Sequence, residues 1–134
     1  RLFSAAGKDF PLHCTAIGKI LLAFSKPALK SQILRRKLDS YTEYTITDPT
    51  MMHAELEEIT KNGYAIDREE ITRGIVCVAA PIFNHDEELV ASISVTLLSY
   101  LADERGIDQE IEAVINCSKQ ITQETGGKLM GSLV

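Results

Sequence analysis

Few residues in this chain have side chains that could do chemistry. There are three cysteines, Cys14, Cys77 and Cys117, and three histidines, His13, His53 and His85. One acid, Asp67, closes an otherwise apolar run, and three hydroxyls alternate through Ser92, Ser94 and Thr96. An odd, widely spaced set of cysteines is no disulfide framework. No pair has zinc-finger spacing, and the histidines form no HxxxH or HExxH arrangement. The residues therefore call for no metal and no cofactor, and free thiols fit a reducing, cytoplasmic setting. A nucleophilic Cys77 would need a nearby base and an electropositive setting. His13 and Asp67 are the available partners, but nothing local brings them to it. The competing reading, a small buried hydrophobe, is the stronger for Cys77.

The hydroxyls lie on a strand. From Leu89 to Leu98 the side chains alternate. Leu89, Ala91, Ile93, Val95 and Leu97 point to one face, expected to be core, and Ser92, Ser94 and Thr96 to the other. A hydroxyl stripe is either a solvated sheet face or the floor of a pocket for something small and polar. Asp67 has two readings as well, a strand-end acid facing water or a pocket acid. The segment Thr15-Ala16-Ile17-Gly18 opens a helix. Free backbone N–H groups and small side chains suit an approaching carboxylate there, and they equally suit tight helix packing.

The elements that must position these residues follow from pattern and punctuation. Arg1 to Ala6 reads as the end of a strand closed by Gly7. Ala16 to Phe24 is apolar nearly all round, a buried helix with Thr15 as N-cap. A second helix starts at Ser25-Lys26-Pro27, with Pro in its first turn and Leu29, Ile33 and Leu34 as its stripe. A third opens at Thr47-Asp48-Pro49, with Met52, Leu56 and Ile59 at helical spacing, and stops at Gly63 in the left-handed region. Tyr64 to Arg68 is a short strand. Ile75–Phe83 and Leu89–Leu98 form a hairpin around the turn Asn84 to Glu87, and Pro81 marks an edge or a bulge. The last helix runs from about Ile107 to Thr125 and ends at Gly126-Gly127. Helices flanking an antiparallel sheet make the fold α+β.

With 134 residues, one domain is expected, spanning 1–126 and followed by a loose tail, 127–134. A net charge of −5 makes a poor ligand for phosphate backbones. The run Arg35-Arg36-Lys37 reads as cations at a helix C-terminus. No stretch approaches the roughly 18 apolar residues of a membrane span, and Arg1-Leu2-Phe3 opens without the apolar core of a signal peptide.

Four segments, in order, resemble one family. Pro11 to Ala23 (PLHCTAIGKILLA) is similar to the PLHxTAxGKxLLA segment of IclR-type regulators, and Thr45 to Pro49 to their TITDP helix start. Gly63 to Glu70, followed by Gly74 to Pro81, resembles their GYAxDxEE…GxxCVAAP signature, and Ser92 to Thr96 the SxS strand. The resemblance implies an effector-binding domain with a GAF- or profilin-like fold. It implies a small organic acid as ligand, such as a 2-oxo, sugar or aromatic acid. The pocket positions it carries over are Ala16, Ile17, Asp67, Cys77, Ser94 and Thr96, the last a Thr where Ser is common. It further implies a bacterial regulator, most simply a repressor, working as a homodimer or homotetramer. Such a protein meets DNA only through a winged helix-turn-helix that, with the first sensor strands, lies outside this sequence. A cysteine enzyme built on Cys77, or a module that only dimerises, are the alternatives.

Overall fold

A computed structural model describes residues 9–129. The expected strand at Arg1–Ala6 and the end of the tail lie outside the described residues. The chain runs through α1 (Ala16–Ala23), α2 (Pro27–Leu34), α3 (Pro49–Asn62), β1 (Ala65–Arg68), β2 (Ile75–Phe83), β3 (Leu89–Leu98), α4 (Ser99–Arg105) and α5 (Asp108–Glu124). The punctuation acts as expected. The Thr15 hydroxyl accepts a hydrogen bond from the Gly18 N–H, Asp48 caps α3 with Pro49 in its first turn, and Gly63 ends that helix at φ 78°. Arg35 is the C-cap of α2, so the basic run does sit at a helix C-terminus. The stripe expected on α2 is only partly used: Ile33 and Leu34 pack against the core, while Leu29 is exposed. The pattern did not reveal α4, a seven-residue helix with no side-chain cap.

The described strands form one antiparallel sheet in the order β1-β2-β3. The sheet divides the core. Ala65, Cys77 and Ala79 join Ala16, Ile20 and Leu22 of α1 and Met52, Leu56 and Ile59 of α3. On the other face Val76, Val78 and Ala80 pack with Ile93, Val95 and Leu97 beneath Ala102, Ile107 and Val114. Both faces are therefore covered by helices. Pro81 is in the central described strand, not at an edge, but it lies past the end of β1 and next to a register shift between Ile82 and Phe83. That shift pairs Ile82 with Ala91 and Phe83 with Leu89, skipping Val90. It turns Leu89 over to the α1 face, where it packs with the first cluster. The alternation expected from Leu89 to Leu97 thus breaks at its first member.

The end of α5 is tied to the hairpin. Gly127 donates to the Thr122 carbonyl at 2.7 Å and Lys128 to the Asn84 carbonyl at 3.0 Å. Among the described residues, no helix is long and apolar enough to cross a membrane.

Candidate functional site

Strand register decides which candidates meet. Asp67 of β1 pairs with Cys77 of β2, and Cys77 pairs with Thr96 of β3. The next row on the same face is Ala65, Ala79 and Ser94. Asp67, Cys77, Thr96 and Ser94 therefore share one sheet face, because side chains two residues apart point the same way. It is the face that α1 packs on, since Cys77 and Ala79 belong to the cluster of Ala16 and Ile20. The Cys77 thiol lies 3.3 Å from the Thr96 hydroxyl. Ser94 and Thr96 are exposed among the described residues, whereas Ser92 gives its hydroxyl to the Ala80 carbonyl at 3.1 Å.

Across from this row, α1 begins. Gly18 N–H is taken by Thr15 and Lys19 N–H by the Thr15 carbonyl. The N–H groups of Ala16 and Ile17 have no acceptor among the described residues, as expected for a first helical turn. Gly18 is required for this turn. A Cβ there would lie 2.4 Å from the Thr15 hydroxyl and 2.5 Å from the Leu12 carbonyl oxygen.

Asp67 is not a water-facing acid. It is only 2% exposed, and its Oδ1 accepts from the Glu70 N–H at 2.7 Å. Burial pushes its carboxyl up to about 7, against the pull of that hydrogen bond; an uncompensated charge is costly where water is excluded. Burial also pushes the Cys77 thiol up, opposed by its bond to Thr96. Cys14, fully buried, is pushed up to about 12, first by burial and then by Asp67. His13 is no partner for Cys77: its Nε2 lies 2.8 Å from the Asp39 carbonyl oxygen. A neutral thiol bonded to a hydroxyl is not an activated nucleophile.

Sequence reasoning missed the buried ion pair behind the site. Lys19 is fully buried in α1. Its Nζ donates to both carboxylate oxygens of Glu70 at 2.9 Å and to the Ile66 carbonyl. Glu70 also accepts from the Arg68 N–H at 3.0 Å. The signal was available. A single lysine in a helix apolar all round must find a counter-charge, and Glu69-Glu70 follow directly on β1.

Two open pockets are lined by described residues. One, of about 270 Å³, lies between the end of α3, β2 and α5. The other, of about 190 Å³, lies between α3 and β1. Neither is lined by any of the six candidate positions. Among the described residues, no group of three or more His, Cys, Asp or Glu could hold a metal ion.

Residues 1–123 match the family described as "Bacterial transcriptional regulator IclR C-terminal". The chain belongs to the IclR family. It is 36% identical over 123 residues to the HTH-type transcriptional regulator BhcR of Paracoccus denitrificans, covering 91% of this chain and 44% of that protein. It is 33% identical over 129 residues to the transcriptional repressor IclR of Escherichia coli, covering 95% and 47%. The solved Thermotoga maritima IclR superposes with a TM-score of 0.85 at 34% identity, over 93% of this chain and 51% of that one. The chain thus spans about half the length of the curated relatives it matches, and corresponds to the C-terminal domain of an IclR-family transcriptional regulator. The α+β fold expected from pattern is the fold of that domain. Three of the four segments that carry the resemblance hold the candidate residues: residues 11–23 give α1 and Lys19, residues 63–70 with 74–81 give Asp67, Glu70 and Cys77, and residues 92–96 give the hydroxyls.

Proposed function

We propose that this IclR-family domain is a small-molecule sensor that binds a small organic acid between the start of α1 and the row Asp67–Cys77–Thr96. The observation that carries the reading is that row, in register on the face α1 covers, with two backbone N–H groups at the start of α1 that have no acceptor among the described residues. The ligand carboxylate takes the N–H groups of Ala16 and Ile17, with the helix dipole in support. The hydroxyls of Ser94 and Thr96 line the floor, Cys77 supplies a small apolar wall, and Asp67 meets the far end of the ligand. In a homodimer or homotetramer, occupancy then alters how a separate winged helix-turn-helix, outside this chain, engages DNA, most simply as a repressor.

A thermal-shift screen of organic acids on the purified chain, followed by calorimetry, tests the reading. Binding should saturate at one ligand per chain and weaken at least tenfold in the Ser94→Ala/Thr96→Ala variant. An acid that binds the variant as tightly as the wild type is bound elsewhere, and the assignment fails.

A further inference from the structure

The polar cluster behind the site has an imbalance that bears on the chemistry of the ligand. Lys19 comes from α1, Glu70 from the turn after β1 and Asp67 from β1 itself. Cys14 approaches from the segment before α1, and Cys77 from β2 beside Asp67. From α3, Glu55 reaches Lys19 at 4.0 Å but is itself a third exposed. One buried cation therefore serves two buried carboxyl groups. An ammonium has three N–H donors, and Lys19 spends them on the two Glu70 oxygens and the Ile66 carbonyl. None is left for Asp67. Asp67 receives one hydrogen bond, from the Glu70 N–H to Oδ1. Its Oδ2 has no partner among the described residues, and no buried side-chain oxygen or nitrogen is left unpaired. Oδ2 is therefore the atom that still borders open space.

Resting on the sensor reading above, we propose that Asp67 meets the ligand as a neutral carboxylic acid, donating through Oδ2–H. The site then selects an acid that offers an acceptor oxygen beyond its carboxylate, such as the carbonyl of a 2-oxo acid, and takes up one proton when binding occurs above neutrality. Lys19 and Glu70 are positioning residues. They neutralise one another, fix the turn after β1, and hold the Glu70 N–H on Oδ1, leaving Oδ2 for the proton.

The chemistry favours a donor over an acceptor here. An ionised Asp67 would add a second uncompensated negative charge beside the anion it helps to bind. A protonated one removes that repulsion and supplies a hydrogen bond that a plain acid cannot use. The proton comes from solvent and returns to it when the ligand leaves, with no bond made or broken elsewhere. The upward push on the Asp67 carboxyl, to about 7, places this exchange in the working range of the molecule.

Calorimetry tests this on two matched series, pyruvate, lactate and propionate, and benzoylformate, mandelate and phenylacetate. Each is titrated between pH 6 and 9 in two buffers of different ionisation enthalpy. The plain acid of a series should bind less tightly than its hydroxy partner, whose oxygen can also accept, and less tightly than the oxo acid. The oxo acid's affinity should be level below about pH 7 and fall by roughly tenfold per pH unit above it, with close to one proton taken up at pH 8.5. Asp67→Asn keeps an Oδ1 acceptor for Glu70 and carries a permanent donor. Its oxo-acid affinity should no longer vary with pH, and proton uptake should vanish. Glu70→Gln should move the pH at which wild-type affinity breaks, which a purely structural role would not do. A level affinity from pH 7 to 9 overturns the inference. So does a pH dependence that survives in Asp67→Asn, or oxo-acid binding lost in that variant at every pH. All three leave the sensor site standing if Ser94→Ala/Thr96→Ala still weakens binding. If neither series binds at all, the sensor reading fails and the inference with it.

Discussion

Replacing Asp67 by Asn should change how the stability of this domain depends on pH, and the size of the effect follows from burial. The carboxyl is lifted from 3.8 to about 7 in the folded chain. Between those values the folded state holds a proton that the unfolded state has released. Stability therefore falls as pH rises from about 4 to about 7, then levels off above the folded value. Each tenfold change in proton affinity is worth about 1.4 kcal/mol, so the full penalty at pH 8 comes to about 4 kcal/mol. Asn carries no charge and retains an oxygen for the Glu70 N–H, 2.7 Å away in the wild type. Urea unfolding of both proteins at pH 4.5, 6 and 8 isolates the effect, because other titrating groups cancel in the difference. The two should agree within about 1 kcal/mol at pH 4.5, and Asn should be the more stable by about 3–4 kcal/mol at pH 8. A difference that does not change with pH, or a variant less stable at pH 8, would refute the argument that burial holds this carboxyl in its neutral form.

Lys19→Met leaves Glu70 buried without its cation and should cost about 3–5 kcal/mol; Lys19→Met/Glu70→Leu should recover part of that, as a urea melt of the three proteins would show. Gly18→Ala drives a methyl to 2.5 Å from the Leu12 carbonyl and should lower the thermal midpoint by several degrees, about 2 kcal/mol or more. Iodoacetamide at pH 8 should label the exposed Cys117 first, and Cys77 and Cys14 only slowly, because burial keeps both thiols neutral; mass mapping of the adducts gives the order. Mixed with duplex DNA near physiological salt, the isolated chain should give no mobility shift, given its net charge of −5.

Local rules carried the sequence reading far. Thr15, Asp48-Pro49 and Gly63 are caps whose effect depends only on their neighbours, so the ends of α1 and α3 could be placed from the residues alone. The strand limits at Ile75–Phe83 and Leu89–Leu98 followed from runs of β-formers bounded by a polar turn. α4 escaped because seven residues without a capping side chain leave no periodicity to see. Register was beyond reach at one point. The skipped Val90 reverses Leu89, and no pattern in the strand announces it. The candidate residues were legible as types, but their meeting depends on pairings such as Asp67 with Cys77 that cross the sheet. The Lys19–Glu70 pair joins residues 51 apart in sequence, so each looked like an ordinary surface charge until the fold brought them together.

The tie between the end of α5 and the hairpin has a practical side. A Cβ on Gly127 would sit 2.0 Å from the Phe83 carbonyl oxygen and 2.9 Å from two atoms of Thr122. Phe83 in turn donates its N–H to the Thr122 hydroxyl and stacks edge-on against Phe24, 5.3 Å away. A reporter or affinity handle spliced on directly after Thr125 would put an ordinary residue at position 127 and press on the β2–β3 turn. Through Phe83 and Phe24, that pressure would reach the far end of α1. Junctions placed after Lys128 keep the glycine and the hydrogen bonds of Gly127 and Lys128, so that position, rather than the end of α5, is where a fusion to this domain should begin.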